Sequence, residues 1–236
     1  MQEQWVNTRT ITAEQLEEVQ RAFLVKVYGW MTTGLLVTAI AALLTSQSPA
    51  LQELIFSSRW TYFGLIIAQL GLVVWLSARI EHMSATTATA VFVGYSGLTG
   101  VTLSVIFLVY TEASLASTFF VTAGTFGAMS AFGYFTRMDL THMGSFLMMG
   151  LIGMVLASVV NMFLGNSTIY WITTYVGILI FVGLTAYDTQ KIKQMSGVAL
   201  EGGEAEQKGA IIGALRLYLD FINLFLLLLR VMGNRK

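Results

Sequence analysis

The sequence predicts an all-α integral membrane protein with seven transmembrane helices. Three observations carry that expectation. Hydrophobic residues make up 56% of the 236 and charged ones only 11%, where a soluble domain carries about a quarter. Mean hydropathy is +0.71. Seven separate windows reach the roughly 20 mostly apolar residues that a helix needs to cross a bilayer, and mostly short polar connections join them.

Taken in order, residues 1–26 form a cytosolic N-terminal segment that contains a helix start. Thr12 and Gln15 have capping-box spacing, so a helix is expected to begin there and to continue into the first span. Residues 1–11 are expected to be mobile. With Glu3, Glu14, Glu17 and Glu18, no basic n-region and no small-residue cleavage site, this is not a signal peptide, and the chain is expected to remain uncleaved. Residues 27–236 form one seven-helix membrane domain with spans at 27–45, 60–78, 85–109, 115–135, 143–164, 169–187 and 211–232. Two connections are longer: 46–59, with the only proline, Pro49, and 188–210, with acidic residues and Gly202-Gly203. One proline leaves the helices mostly free of proline kinks. Small-residue stripes at Gly94/Gly97/Gly100, Gly124/Gly127, Gly150/Gly153 and Gly209/Gly213 read as close contacts between helices.

Orientation follows the distribution of lysine and arginine. With the N-terminus cytosolic, nine of the 13 basic residues fall inside: Arg9, Arg21, Lys26, Arg79, Arg137, Lys191, Lys193, Lys208 and Arg216. Arg59, Arg230, Arg235 and Lys236 fall outside. The basic C-terminal tail is discordant. A re-entrant last segment would return it inside, but the apolar run 211–232 is long enough to cross.

Composition also excludes chemistries. Zero net charge sets nucleic acid aside as a partner, and the absence of cysteine removes disulfides, thiolate nucleophiles and Cys-ligated metals. His82 and His142 lie far apart in polar connections and read as interfacial residues.

The informative residue is Asp220, an acid inside the last apolar run. A carboxylate in hydrocarbon costs several kcal/mol unless it is paired, neutralised or wetted, and such groups mark ion paths and proton relays. Gly213, Arg216, Leu217, Asp220, Asn223, Leu224 and Leu227 share one helical face, leaving Leu219, Ile222, Leu226 and Leu229 for a lipid-compatible face. Arg216 can pair with Asp220 or reach the interface. Asp188 follows Tyr187 at the cytosolic end of the preceding span, so both acids fall in the cytosolic half. If they meet, both cannot ionise cheaply and they are expected to share a proton. Two carboxylates are also hard oxygen ligands suited to calcium, with Arg79 as a competing counter-ion. The Gly94-Tyr-Ser96-Gly97 stretch matches an intramembrane serine protease motif but has no histidine in any span to serve as base. The last span has no lysine for a retinal Schiff base. Tyr187-Asp188 fits an intramembrane aspartyl protease, but Leu217-Tyr-Leu-Asp220 lacks its Gly-x-Gly-Asp.

Leu184-Thr-Ala-Tyr-Asp188-Thr-Gln-Lys-Ile-Lys193, with Leu217-Tyr-Leu-Asp220-Phe-Ile-Asn223-Leu-Phe225 and Leu229-Arg230, resembles the Bax inhibitor/YccA family of transmembrane Bax inhibitor motif proteins, especially its bacterial inner-membrane members. Val27-Tyr-Gly-Trp-Met31 and Ala113-Ser-Leu-Ala-Ser-Thr-Phe119 extend the likeness over nearly the whole chain. The resemblance implies six helices around a central seventh. It implies a pH-sensitive calcium leak controlled by the aspartate pair that Asp188 and Asp220 match. Some members keep an arginine at the cytosolic end of the second helix, tied to the closed state, for which Arg79 is the nearest candidate. An acid that some carry earlier in that helix is absent, with Gln69 nearby. Other bacterial members are linked to control of a membrane protease, and eukaryotic ones to suppression of cell death.

The expectation is therefore a non-enzymatic, pH-gated calcium leak of the bacterial cytoplasmic membrane, with calcium, protons and the bilayer as partners and no cofactor. Asp188 and Asp220 serve as proton sensor and calcium ligands. Arg79 and Arg216 are candidate latches or counter-ions, Tyr187 and Asn223 supporting polar groups, and Leu217 and Leu224 an apolar plug. The alternatives are a non-conducting regulator of a membrane protease or stress response, and an intramembrane aspartyl protease.

Overall fold

The computed structural model describes residues 12–236, so the segment 1–11 expected to be mobile lies outside the described residues. Helix α1, Ala13–Gln47, starts on the expected capping box: Gln15 N donates to Thr12 Oγ1 (3.3 Å) and Thr12 N to Gln15 Oε1 (3.0 Å). The connection after it contains a short helix, α2, Pro49–Phe56. Its proline sits in the first turn, where a missing N–H breaks no bond, and Ser48 caps it. Helix α3 is Arg59–Arg79. The single window 85–109 becomes two pieces, α4 (Ala85–Leu103) and α5 (Val105–Val109), interrupted at Ser104, whose hydroxyl donates to Val101 O (2.7 Å). Helices α6 (Glu112–Phe135) and α7 (Thr141–Leu164) follow, and Gly165 ends α7 with φ +63°, a left-handed cap that glycine adopts without strain.

Helix α8, Ser167–Gln194, runs past the expected end at 187. Lys191 and Lys193 occupy its last turn, where the negative end of the helix dipole favours cations. A short helix α9, Val198–Glu201, precedes the last helix, α10, Gly203–Met232, which has Glu204 and Glu206 in its first turn. The 188–210 connection is thus mostly helical, and Asp188 lies within a helix. Lys26 pairs with Glu206 (3.0 Å), and Ala85 N donates to Glu204 Oε1 (2.9 Å), tying the start of α10 to α1 and α4.

Seven helical stretches are long and apolar enough to cross a membrane, and among the described residues there is no strand. This is an all-α multi-pass membrane protein. The end of the bundle where α1 starts is here termed proximal, and the other end distal. The basic tail docks at the distal end, on the turn between α5 and α6. Thr111 N donates to Asn234 O (3.1 Å), Lys236 N to Val109 O (2.9 Å) and Lys236 Nζ to Phe107 O (2.9 Å). The last helix therefore runs the full length of the bundle, and the Phe107 carbonyl takes up the charge of Lys236.

Helix α10 is the central one. It packs on α1, α4, α6 and α8, while α3 lies on α4 and α7 on α8. The apolar window of α10 is 61% buried, that of α7 0%. Of the leucine face assigned to lipid, Leu229 is a correction at 1% exposed, while Leu219, Ile222 and Leu226 remain partly exposed. A helix packed among several others is apolar on most of its surface, so a leucine such as Leu229 does not by itself mark a lipid face.

The glycine stripes divide. A Cβ at Gly124 or Gly127 would meet nothing within 4 Å, so that stripe is no helix contact, whereas in the others Gly94 and Gly153 are open but Gly100 and Gly150 (3.2 Å from Ile180) are close contacts. At Gly213 it would press on Val27 (3.2 Å), and at Gly100 on the Thr38 carbonyl. Equally tight approaches lie just before Asp188: Gly133 of α6 lies against the Ala186 carbonyl, and Gly144 of α7 against the Tyr187 ring.

One buried polar cluster went unread in the sequence. Tyr218 is fully buried, with its hydroxyl 2.7 Å from Thr38 Oγ1 and its ring edge-on to Phe92 and Tyr95. The single Thr38 proton faces the carbonyls of Gly34 and Ser96 (both 2.9 Å), so Tyr218 is the donor. Tyr218→Phe should lower stability by about 1 kcal/mol, as Thr38 keeps its acceptors but loses a donor. Thermal unfolding of the purified protein measures this.

Candidate functional site

Arg216 and Asp220 are four residues apart on α10, so helical geometry places them on one face. Helix α8 runs antiparallel beside it and puts Asp188 against that face. The carboxyl groups of Asp188 and Asp220 lie within hydrogen-bonding reach of each other. Both residues are buried, at 9% and 4% exposed, and Asp220 Oδ2 has no hydrogen-bond partner. Arg216 Nη1 stands 3.5 Å from Asp188 Oδ1, with the arginine side chain 42% exposed. The three groups form a ladder from a half-exposed guanidinium to a fully buried carboxyl. Arg216 thus pairs across the helices with Asp188, where the sequence suggested Asp220. Among the described residues, no other basic group forms an ion pair with either acid.

This arrangement constrains the charge. A hydrogen bond between two carboxyl groups needs one proton. With that proton shared, the pair carries one negative charge, which Arg216 balances. With both acids ionised the pair repels, and the burial that makes their contact tight makes the repulsion strong.

The packing around the pair is specific. Leu217 and Leu224, the residues flanking Asp220 on its face, are both fully buried. The close approaches of Gly133 to Ala186 and Gly144 to Tyr187 fix α8 just before Asp188. Thr189 shares a hydrogen bond with the Tyr28 hydroxyl of α1 (3.2 Å). Gln190 braces the α6–α7 connection, donating to Met138 O (2.8 Å) and accepting from Leu140 N (2.9 Å). Lys193 Nζ donates to Tyr134 O (3.0 Å) and lies 4.6 Å from the centre of its ring. Tyr28, Thr189, Gln190 and Lys193 lie within the motifs that carry the family resemblance without an assigned role there, and Gly133 and Gly144 carry no signal in the sequence.

Other expected participants fall elsewhere. Arg79 is exposed at the end of α3 and forms no ion pair among the described residues. The reason is positional: α3 packs on α4 and does not border the α8–α10 seam. Tyr187 turns away from the pair towards α7, with Lys191 Nζ 5.8 Å from its ring centre. The Asn223 amide donates to Leu219 O (2.8 Å) within its own helix and lines a small cavity on the distal side. Gln69 donates to Thr102 Oγ1, linking α3 to α4. Ser96 is fully buried and donates to Phe92 O (2.9 Å), a packing role. Both histidines are exposed. Among the described residues, no group of three or more His, Cys, Asp and Glu could enclose a metal ion. Two carboxylates alone fall short of the six to eight oxygens of a resident calcium site, and fit a cation that keeps part of its water.

A family model described as "Inhibitor of apoptosis-promoting Bax1" matches residues 20–236. The inner membrane protein YbhL of Escherichia coli is 55% identical over 218 residues, covering 92% of this chain and 93% of its own length. An uncharacterised protein of Borreliella burgdorferi is 47% identical, covering 92% of this chain and 94% of its own. One from Rickettsia prowazekii is 45% identical, covering 97% and 98%.

Proposed function

Since the chain belongs to the Bax inhibitor family and closes its central helix with an acid pair, we propose that it is a pH-gated cation leak, with calcium as the cation, in a bacterial inner membrane. The N-terminus and the proximal end of the bundle face the cytosol in this reading, since nine of the 13 basic residues then lie inside. The observation that carries the reading is the contact between Asp188 and Asp220 beside a single paired arginine.

The gate works as follows. While the pair shares a proton, the hydrogen bond holds α8 to α10, and Leu217 and Leu224 seal the path around it. As pH rises and the proton leaves, the two carboxylates repel and the seam loosens. The exposed oxygens then offer a hydrated divalent cation a place to pass. Leak therefore increases with pH. Calcium release from vesicles containing the purified protein, followed across a pH series, tests this. A rate no greater than that of protein-free vesicles at every pH would overturn it and leave a non-conducting regulatory role.

Arg216 sets the position of the transition. A neighbouring cation favours the ionised form of a carboxyl, so its removal holds the proton to higher pH. Arg216→Gln should therefore move the onset of leak upward by about one pH unit. Its half-exposed side chain makes the accompanying loss of stability small, about 1 kcal/mol or less. The vesicle assay reads the first quantity and thermal unfolding the second.

A further inference from the structure

On the distal side of the acid pair, two adjoining cavities lie between α7, α8 and α10. The outer, about 440 Å³, opens beside the α7–α8 turn and is bordered by Asn161, Asn166 and Tyr170. The inner, about 130 Å³, reaches Asn223, three residues along α10 from Asp220. Ser158, Thr173 and Arg230 border both, so the two share a wall. Ser158, Thr173, Asn223 and Arg230 give the inner cavity polar walls, unlike the apolar cavity among Phe119, Phe221 and Phe225. A polar cavity of this size next to an open one holds water.

Arg230 stands where outer cavity meets inner. Its guanidinium carbon lies 5.4 Å from the centre of the Tyr170 ring, which holds the charge at the wall, and among the described residues it forms no ion pair. An unbalanced positive charge beside a narrow aqueous opening raises the local concentration of anions and lowers that of cations. We propose that these cavities form a water-filled route from the distal face to Asp220, and that Arg230 is its charge filter, admitting water and small anions more readily than cations. The assignment rests on the leak reading in taking Asp220 as the end of the route. It adds a residue that determines selectivity and the helices between which the route runs. A divalent cation meets this filter at twice the cost of a monovalent one, so Arg230 restrains calcium in particular.

The chain has no cysteine, so one introduced thiol reports alone. Asn223→Cys is treated with an anionic and a cationic methanethiosulfonate of similar size, each rate being divided by that reagent's rate with a small free thiol. The anionic reagent should be favoured about tenfold, the difference that one unit charge makes for two opposite charges a few ångströms away in water. Arg230→Gln in the same background should bring that ratio near one. Ser158→Cys, on the wall common to both cavities, gives the same readout if Asn223→Cys fails to fold. Absence of reaction at both positions in folded protein, or a ratio unmoved by Arg230→Gln, overturns the proposal. Thiol rates need no leak to be measured, so their failure and that of the leak reading are separately visible.

Discussion

Asp220→Asn is expected to hold the calcium leak at its low-pH level across the whole accessible pH range. The carboxamide has nearly the shape of a protonated carboxyl group and cannot lose its N–H. It therefore keeps donating to Asp188, whose charge stays balanced by Arg216 at 3.5 Å. The wild-type contact is present below the release of the shared proton and lost as pH rises through it; in the variant the release does not occur. A hydrogen bond to a charged partner is worth about 1.5–3 kcal/mol, so leak at high pH should fall about tenfold or more. Stability should change little, because a neutral group replaces an acid in a fully buried position. Asp188→Asn breaks the same switch but also leaves Arg216 without its anion, so the two variants should differ in stability while sharing a flat pH profile. A wild-type pH response in Asp220→Asn vesicles would remove the pair from the gate.

Gly133→Val is expected to have the largest effect on stability. The Cβ of any other residue at this position would collide with the Ala186 carbonyl on α8, which is backbone and cannot rotate aside. Helices α6 and α8 must separate, and each side chain between them loses contacts. Overpacking of this kind costs about 3 kcal/mol where the neighbour cannot yield. For a chain of this size that corresponds to a fall of about 10 °C in melting temperature. Ala186 is two residues from Asp188, so the displacement should also move the acid pair. A leak that remains pH-dependent in a folded Gly133→Val protein would mean that the pair tolerates the shift. Gly127→Val is the control: the same helix and the same substitution, but nothing lies within 4 Å of its Cβ, and its melting temperature should hardly move.

These glycines illustrate how far the amino-acid pattern could be read. Gly124, Gly127, Gly94 and Gly153 stood out as stripes at helical spacing, yet they face open space. Gly133 and Gly144 form no stripe and approach their neighbours as closely as Gly100, which belongs to one. Spacing shows which glycines share a face, but it does not show what that face meets. The same limit applies to α10, where Leu229 read as part of a lipid-compatible face but is buried against neighbouring helices.

What the sequence determined by itself was the all-α membrane class, the seven crossings, the capping of α1 and the presence of acids at Asp188 and Asp220, because hydrophobic run length, capping residues and a carboxyl in an apolar run are local properties. Only the tertiary structure decided that Arg216 rather than Arg79 accompanies the pair. It also decided that Asp188 sits inside a helix, that Tyr218 and Gln190 anchor the surrounding helices, and that Arg230 borders two adjoining cavities on the distal side. Those facts depend on which helices are neighbours and how each is rotated, and packing between segments distant in sequence settles both.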